Sequence, residues 1–230
     1  MIAFLHTSSI HIERFENLVR KFDQEVEVKH FVNEDLLDYA MSEGTTNTKG
    51  FNQEVQSIQN EQPKLIICTC STYGAECDQN DNIERIDQPI VEHLVANYNK
   101  IGLAYTAKST KRVSQDLIIR VAQKQGKKVD IVDCDYSSAW AHYENEDFGK
   151  YVQVTAEKIK TYERGVDVIF LAQASMENAK KHLSNFTKEV YASPEFGIKS
   201  YLQRIKQDPI SKVSLALLRK NIAGRNSYAF

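Results

Sequence analysis

Cys70 is the residue best placed to do chemistry. It ends the apolar run Leu65-Ile66-Ile67-Cys68-Thr69 and is followed by Ser71-Thr72-Tyr73-Gly74. A thiol at the carboxyl end of a buried strand lies where a turn exposes the sulfur. The free backbone N–H groups and hydroxyls that follow can hold a carboxylate there. A free thiol titrates near pKa ~8.5, and nearby positive dipole ends lower that value, so the position suits a thiol acting as base, acid or nucleophile. Cys68 and Cys134 read instead as small buried hydrophobes. Cys68 and Cys70 share one face, and Cys77 with a histidine could add ligands, but the usual two pairs of Cys/His ligands are missing, and no metal is expected.

The elements that must position this thiol follow from periodicity. Short β-branched runs at Met1–Leu5, Val26–Val32, Leu65–Thr69, Ile101–Tyr105, Val129–Val132, Val168–Leu171 and Val190–Ala192 read as buried strands. Ile83–Ile86 reads as a further short strand, and Tyr73–Asn82 as an exposed loop. Between the strands, Ile12, Phe15, Leu18, Val19 and Phe22 mark one helix face. Val113, Leu117, Ile118, Val121 and Ala122 mark a second, and Val152, Thr155, Ile159 and Tyr162 a third. Asp87 and Pro89 suit the start of a helix running to about Asn97. This alternation calls for an α/β protein with a mostly parallel sheet covered on both faces.

The strands also echo one another. Ile2–Thr7 resembles Gly102–Thr106, each a strand ending in threonine, and Leu65–Thr72 resembles Val168–Ser175, each a strand ending in a polar residue and then a hydroxyl. Thr7 precedes Cys70 by 63 positions, and Thr106 precedes Gln173 by 67. Two βα halves with a break near Asn97–Lys100 would turn their strand ends toward a shared crevice. Ligands of open α/β sheets bind outside such ends. The positions this selects are His6, Thr7, Ser8, Cys70, Ser71, Thr72, Thr106–Thr110 and Gln173–Ser175.

Composition narrows the class of protein. The 230 residues carry a formal net charge of -2, with 42% hydrophobic and 26% charged residues, as in ordinary globular chains. No attraction to nucleic acid or anionic lipid is indicated, and the C-terminal scatter of Lys206, Lys212, Arg219, Lys220 and Arg225 is too sparse for a binding arm. No apolar run approaches the ~20 residues of a membrane span. The N-terminus lacks the charged and apolar regions of a signal peptide. Four cysteines in a chain this long fit a reducing, cytoplasmic setting rather than a disulfide framework. The nine glycines never fall in G-x-G spacing, and neither a P-loop nor a G-x-S-x-G elbow occurs, so no nucleotide, nicotinamide or flavin cofactor is implied.

Taken together, the segment Leu65–Gly74, the later Val168–Met176, Leu5–Ser8, Arg85–Pro89, Thr106 to Thr110 and Ser193-Pro194 resemble, in order and spacing, the aspartate/glutamate/hydantoin racemase superfamily. The resemblance extends to about Leu202. It implies two pseudo-twofold-related α/β lobes, each a mostly parallel sheet flanked by helices, with the active site in the cleft between them. The lobes would be residues 1–97 joined by 196–230, carrying Cys70, and residues 98–195, carrying Gln173. In two-cysteine relatives one thiolate removes the proton next to a carboxylate and the opposing thiol returns one, without a cofactor. By position Cys70 corresponds to the first cysteine. Ser71, Thr72, Ala174 and Ser175 correspond to carboxylate-binding neighbours, with Thr7, Ser8, Thr106 and Thr110 lining the rest of the wall. Relatives of this type often pair as homodimers.

Two departures stand out. Gln173 occupies the place of the second cysteine, and an amide cannot exchange a proton near neutral pH. His6-Thr7-Ser8 stands where amino-acid racemases carry an acidic residue. The expected activity is therefore cofactor-independent racemase- or isomerase-type chemistry next to the carboxylate of a small amino or carboxylic acid, with Cys70 as acid/base. One-thiol decarboxylase or lyase chemistry on malonate-type acids is the enzymatic alternative, and a small-acid binding protein without turnover is the non-enzymatic one. His6 has a suitable pKa range to replace the missing acid. The stretch Asp133–Asp147, with Trp140 and His142, reads as a surface connection in preference to a lid over the cleft. Ser193-Pro194 starts a helix whose N–H groups either cap it or reach a substrate carboxylate.

Overall fold

The computed structural model describes residues 1–162 and 164–207. Eight strands form two parallel four-stranded sheets with identical strand order. The first contains β1 (Ile2–His6), β2 (Val28–Val32), β3 (Leu65–Cys68) and β4 (Glu84–Arg85), in the order β2-β1-β3-β4. The second contains β5 (Lys100–Tyr105), β6 (Asp130–Asp135), β7 (Val168–Leu171) and β8 (Glu189–Ala192), in the order β6-β5-β7-β8. The register repeats as well. Thr69 N–H donates to Leu5 O just as Ala172 N–H donates to Ala104 O. This equivalence places Cys70 and Gln173 at matching points beyond the central strands of the two sheets.

The helices are α1 (Ile12–Phe22), α2 (Asp35–Glu43), α3 (Thr48–Gln59), α4 (Gly74–Cys77), α5 (Gln88–Asn97), α6 (Lys108–Lys124), α7 (Trp140–Glu144), α8 (Phe148–Lys160) and α9 (Ser193–Gln207). Short 3-10 turns at Ser9–His11, Ser71–Tyr73, Ser137–Ala139 and Ala174–His182 follow strand ends. Central strands are buried on both faces, so they read as continuous apolar runs rather than alternating ones.

Two helices cover the sheet of the other half. α5 sends Ile90, Val91, Leu94 and Val95 into the core formed by Ile101, Leu103, Val168 and Phe170. α9 sends Ile198, Tyr201 and Leu202 into the core of Ile2, Phe4, Phe15 and Val19. Residues 208–230, with Lys212, Arg219, Lys220 and Arg225, lie outside the described residues. α9 approaches β4 so closely that a Cβ on Gly197 would lie 2.4 Å from Ile86 O. Backbone cannot yield there, so Gly197→Ala is expected to destabilise the fold by about 1–3 kcal/mol, read as a lower urea midpoint at unchanged m-value.

Only the second part of Tyr73–Asn82, from Asp78, is an exposed loop. Tyr73, Gly74, Glu76 and Cys77 are buried. Tyr73 donates its hydroxyl to Leu36 O at 2.7 Å, receives Asn47 N–H at 3.0 Å and stacks on Phe51. Composition suggested solvent because small polar residues dominate the segment, yet a few tertiary hydrogen bonds bury its first part beneath α2 and α3.

Candidate active site

A cavity of about 40 Å3 lies beyond the carboxyl ends of the strands of both sheets. Thr7 and Ser8 follow β1, Thr69 to Thr72 follow β3, Ala107 and Thr110 follow β5, and Gln173 to Ser175 follow β7. His11, Leu37, Trp140 and Tyr143 complete its wall. No Asp, Glu, Lys or Arg is among these lining residues. Three helical segments start at the wall: the 3-10 turn at Ser71, α6 at Lys108 and the 3-10 turn at Ala174. The positive ends of these segments make the cavity attractive to carboxylate without a fixed cation. Among the described residues no group of three or more His, Cys, Asp or Glu is placed to hold a metal ion.

Cys70 caps the 3-10 turn Ser71–Tyr73 in an extended conformation and is half-buried. Burial pushes its thiol up to about 11 and the neighbouring Cys68 adds to this, while hydrogen bonds from the Thr7 side chain and from Thr72 and Tyr73 N–H oppose it. The position alone suggested a lowered value. Here desolvation outweighs the turn's N–H groups, so the resting group is a neutral S–H. Alkylation of Cys70 by iodoacetamide, followed by mass spectrometry, should therefore still rise with pH through pH 10, and at pH 8 be about a hundredfold slower than an ordinary thiol. A plateau below pH 9 would contradict that environment. Cys134 sits away from the cavity in the second core, pushed up to about 12 chiefly by burial.

Gln173 faces the cavity but its amide oxygen is engaged. Oε1 accepts Thr106 N–H at 2.6 Å, Ala107 N–H at 2.8 Å and the Thr106 hydroxyl at 3.1 Å. Backbone N–H groups only donate, so this fixes the amide's orientation. Gln173 thereby occupies the free N–H groups at the end of β5. Ser71 and Thr72 also differ from the expectation of hydroxyls held free for substrate. Ser71 Oγ donates to Ala172 O at 2.6 Å, and Thr72 Oγ1 pairs with Ser109 Oγ at 3.0 Å, both across the cleft.

Two expected wall residues stand behind the wall. His6 is fully buried, its Nδ1 2.8 Å from Thr69 Oγ1 and its Nε2 2.8 Å from His30 Nδ1. Burial, with the neighbouring His30 and His11, pushes it down to about 3. Thr106 is buried too, its hydroxyl bonded to Tyr151 at 2.9 Å, and Tyr151 in turn to Ser175 at 2.9 Å. Ser193 and Pro194 begin α9 and are buried, but neither lines the cavity. Thr7, Ser8, Cys70, Ser71, Thr72, Thr110, Gln173, Ala174 and Ser175 all come together at the wall.

The segment after β6 is more than a surface connection. Trp140 and Tyr143 stack at 4.7 Å between ring centroids and line the cavity, whereas His142 does not. The indole N–H is taken by Glu144 at 2.8 Å, so Trp140 offers the cavity an apolar face. His11 is a further wall residue without a sequence signal beyond its place one position before α1. Burial and the neighbouring Arg14 push it down to about 4, so it is neutral. Arg14 binds Ala174 O at 2.5 Å and pairs with Glu177. A second compartment of about 190 Å3 shares His11, Tyr143 and Ser175 with the first and adds Phe148, Tyr151 and Val152.

No protein-family model matches the chain, and no curated protein matches it. Solved structures do. An aspartate racemase of Picrophilus torridus is similar over 88% of this chain and 93% of its own, at TM-score 0.68 and 14% identity. A glutamate racemase of Francisella tularensis, in complex with D-glutamate, is similar over 89% of this chain and 80% of its own, at TM-score 0.69 and 11% identity. A mutant of arylmalonate decarboxylase is similar over 88% of this chain and 91% of its own, at TM-score 0.53 and 8% identity. The chain has the two-lobed α/β fold of these enzymes.

Proposed function

We propose that the protein, built on the fold that aspartate and glutamate racemases use, is a cofactor-independent enzyme of their superfamily. It makes or breaks a C–H bond at the carbon next to a carboxylate, and Cys70 carries the proton. The observation that supports this reading is one neutral thiol at a cavity of hydroxyls and N–H groups, opposite an amide locked at the equivalent point of the other lobe. Substrate carboxylates lie against the N–H groups of the turns at Ser71 and Ala174 and against the hydroxyls of Thr7, Ser8, Thr110 and Ser175.

Gln173 favours reaction on one face. In a decarboxylation of a malonate-type acid, the C–CO2 bond breaks, CO2 leaves, and the electron pair spreads into an enediolate held by the cavity's donors. That stabilisation is commonly the largest catalytic contribution. The Cys70 S–H bond then breaks as the new C–H bond forms, and the pair remains on sulfur. Thr7 and the N–H groups of Thr72 and Tyr73 hold the thiolate until it takes a proton back from solvent. Racemisation or isomerisation is the second reading. It is favoured by the matching positions of Cys70 and Gln173 in the repeat, which give the substrate's carbon two protein-lined faces, and it requires a second acid such as Tyr143.

The test follows a panel of amino, hydroxy and malonic acids by NMR in deuterated buffer. One-face chemistry incorporates a single deuteron in one configuration, with CO2 release for malonic acids, whereas racemisation yields both enantiomers. Binding without any exchange across the panel would make the protein a small-acid binding protein.

A further inference from the structure

Behind the cavity wall runs an unbroken series of short hydrogen bonds that the chemistry at Cys70 does not use. Thr69 Oγ1 lies 2.8 Å from His6 Nδ1, His6 Nε2 lies 2.8 Å from His30 Nδ1, and His30 Nε2 lies 3.0 Å from Glu16 Oε2. Thr69 lines the cavity directly beside Cys70. Glu16 is on α1 with 35% of its side chain exposed. The chain therefore runs from the cavity wall to the solvent side of the first lobe.

We propose that Thr69, His6, His30 and Glu16 form a proton path between the cavity and solvent. The direction of every bond follows from its outer end. An ionised carboxylate only accepts, so His30 Nε2–H donates to Glu16. With His30 as a neutral imidazole, its one N–H is the one given to Glu16, so His30 Nδ1 accepts from His6 Nε2–H, and His6 Nδ1 accepts the Thr69 hydroxyl. Arg20 Nε, 2.8 Å from the other Glu16 oxygen, favours the ionised form at rest. The inner rings are packed to hold this alignment: His6 and His30 stack at 5.1 Å, Phe4 stacks on both, and Phe15 lies 5.5 Å from His6. His11 is the other titratable ring facing His6, at 6.5 Å.

A proton reaching Thr69 Oγ from the cavity passes on as four concerted shifts. Thr69 gives its own hydrogen to His6 Nδ1, His6 gives Nε2–H to His30 Nδ1, and His30 gives Nε2–H to Glu16, which loses it to water. No ring becomes an imidazolium, in keeping with the lowered basicity of buried His6. In the reversed state Thr69 has a second acceptor, Leu5 O at 3.3 Å, so the hydroxyl stays satisfied in both settings. From that reversed state the same shifts run inward, return a proton to the cavity and restore the first alignment. This role rests on the proton-transfer reading of Cys70, although the path itself stands on the hydrogen bonds. His6, His30 and Glu16 are positioning residues, since none touches the cavity.

The experiment uses the full chain labelled with 15N-histidine. NMR at neutral pH should find both His6 and His30 as Nε2–H tautomers. In wild type, His6 Nε2–H should exchange with deuterated water much faster than the backbone amides of Phe4 and Leu5 on the same strand. Glu16→Gln, which removes the group that takes up and releases the proton, should slow His6 exchange by about tenfold or more. The amides of Phe4 and Leu5 should not change, and Glu16→Asp should restore the rate. An Nδ1–H or doubly protonated His6, or His6 exchange unaffected by Glu16→Gln, would overturn the path. Fast, Glu16-dependent exchange in a protein that turns over none of the acids would keep the path and remove the Cys70 reading instead.

Discussion

Cys70→Ala is expected to lower deuterium incorporation or CO2 release by about 10³-fold or more, because neither Gln173 nor His11 can replace the thiol in the C–H step. Gln173 offers only hydrogen bonds, and its oxygen is already held by Thr106 and Ala107. His11 is neutral and pushed down to about 4, which makes it a poor proton donor near neutrality. Ligand affinity should change little in the same variant, since in the proposed mechanism the N–H groups and hydroxyls around the sulfur hold the carboxylates. A fall in kcat with KM nearly constant is the expected signature of a group acting in the transition state. Cys70→Ser should behave like the alanine variant, because a hydroxyl in this buried position holds its proton more tightly than a thiol. Full activity in either variant would end the thiol mechanism.

The largest stability effect is expected at Arg85. Its guanidinium is 4% exposed and binds Asp87 twice, at 2.6 and 2.9 Å, and Asp78 at 2.8 Å. Asp87 is itself 1% exposed. Arg120 on α6 joins Asp78 from the other side with two bonds of 2.7 Å, so the network ties the second lobe to β4 and α4. Nearby carboxylates, Asp87 foremost, overcome the burial penalty and hold the Arg85 pKa above its ordinary value, so the guanidinium stays charged at every accessible pH. Arg85→Met leaves Asp87 buried without its cation. The expected loss is about 3–5 kcal/mol, the range for breaking one side of a buried pair. In a chain of this size that corresponds to a Tm lower by roughly 10 °C. Arg85→Met with Asp87→Leu should recover much of the loss, since both charges are then gone. A single variant within 1 kcal/mol of wild type in urea melts would show that the pair carries no such weight.

What the sequence by itself determined is what depends on near neighbours along the chain. β-branched runs marked all eight strands, because a strand's burial shows in four to six consecutive residues. Pro89 lies in the first turn of α5 as its fixed φ suits, whereas Asp87 gives its carboxylate to Arg85 and makes no cap hydrogen bond. The repeat of strand and polar end pointed to one crevice and to Cys70, Gln173 and the hydroxyls around them. Helix α2 carries no equally plain stripe, and in α3 the stripe of Phe51, Val55 and Ile58 is set among Asn, Gln and Ser residues. The burial of Tyr73–Cys77 was not legible either, since its small polar residues suggest solvent.

The tertiary structure alone decided the partners and the solvation of each group. His6 became an interior ring because Thr69 and His30, 63 and 24 residues away, meet its two nitrogens. Gln173 lost its oxygen to amides 67 and 66 residues away. Ser71 spent its hydroxyl on a carbonyl 101 residues away. Cys70 kept its proton because neighbours from both lobes exclude water from around it. Trp140 and Tyr143 came to the wall because α7 turns back over the strand ends, and α5 and α9 each cover the sheet of the other half. Local pattern reports which atoms are apolar, whereas hydrogen-bond partners and dielectric are set by residues far apart in the chain. The chemistry of this site rests on the latter.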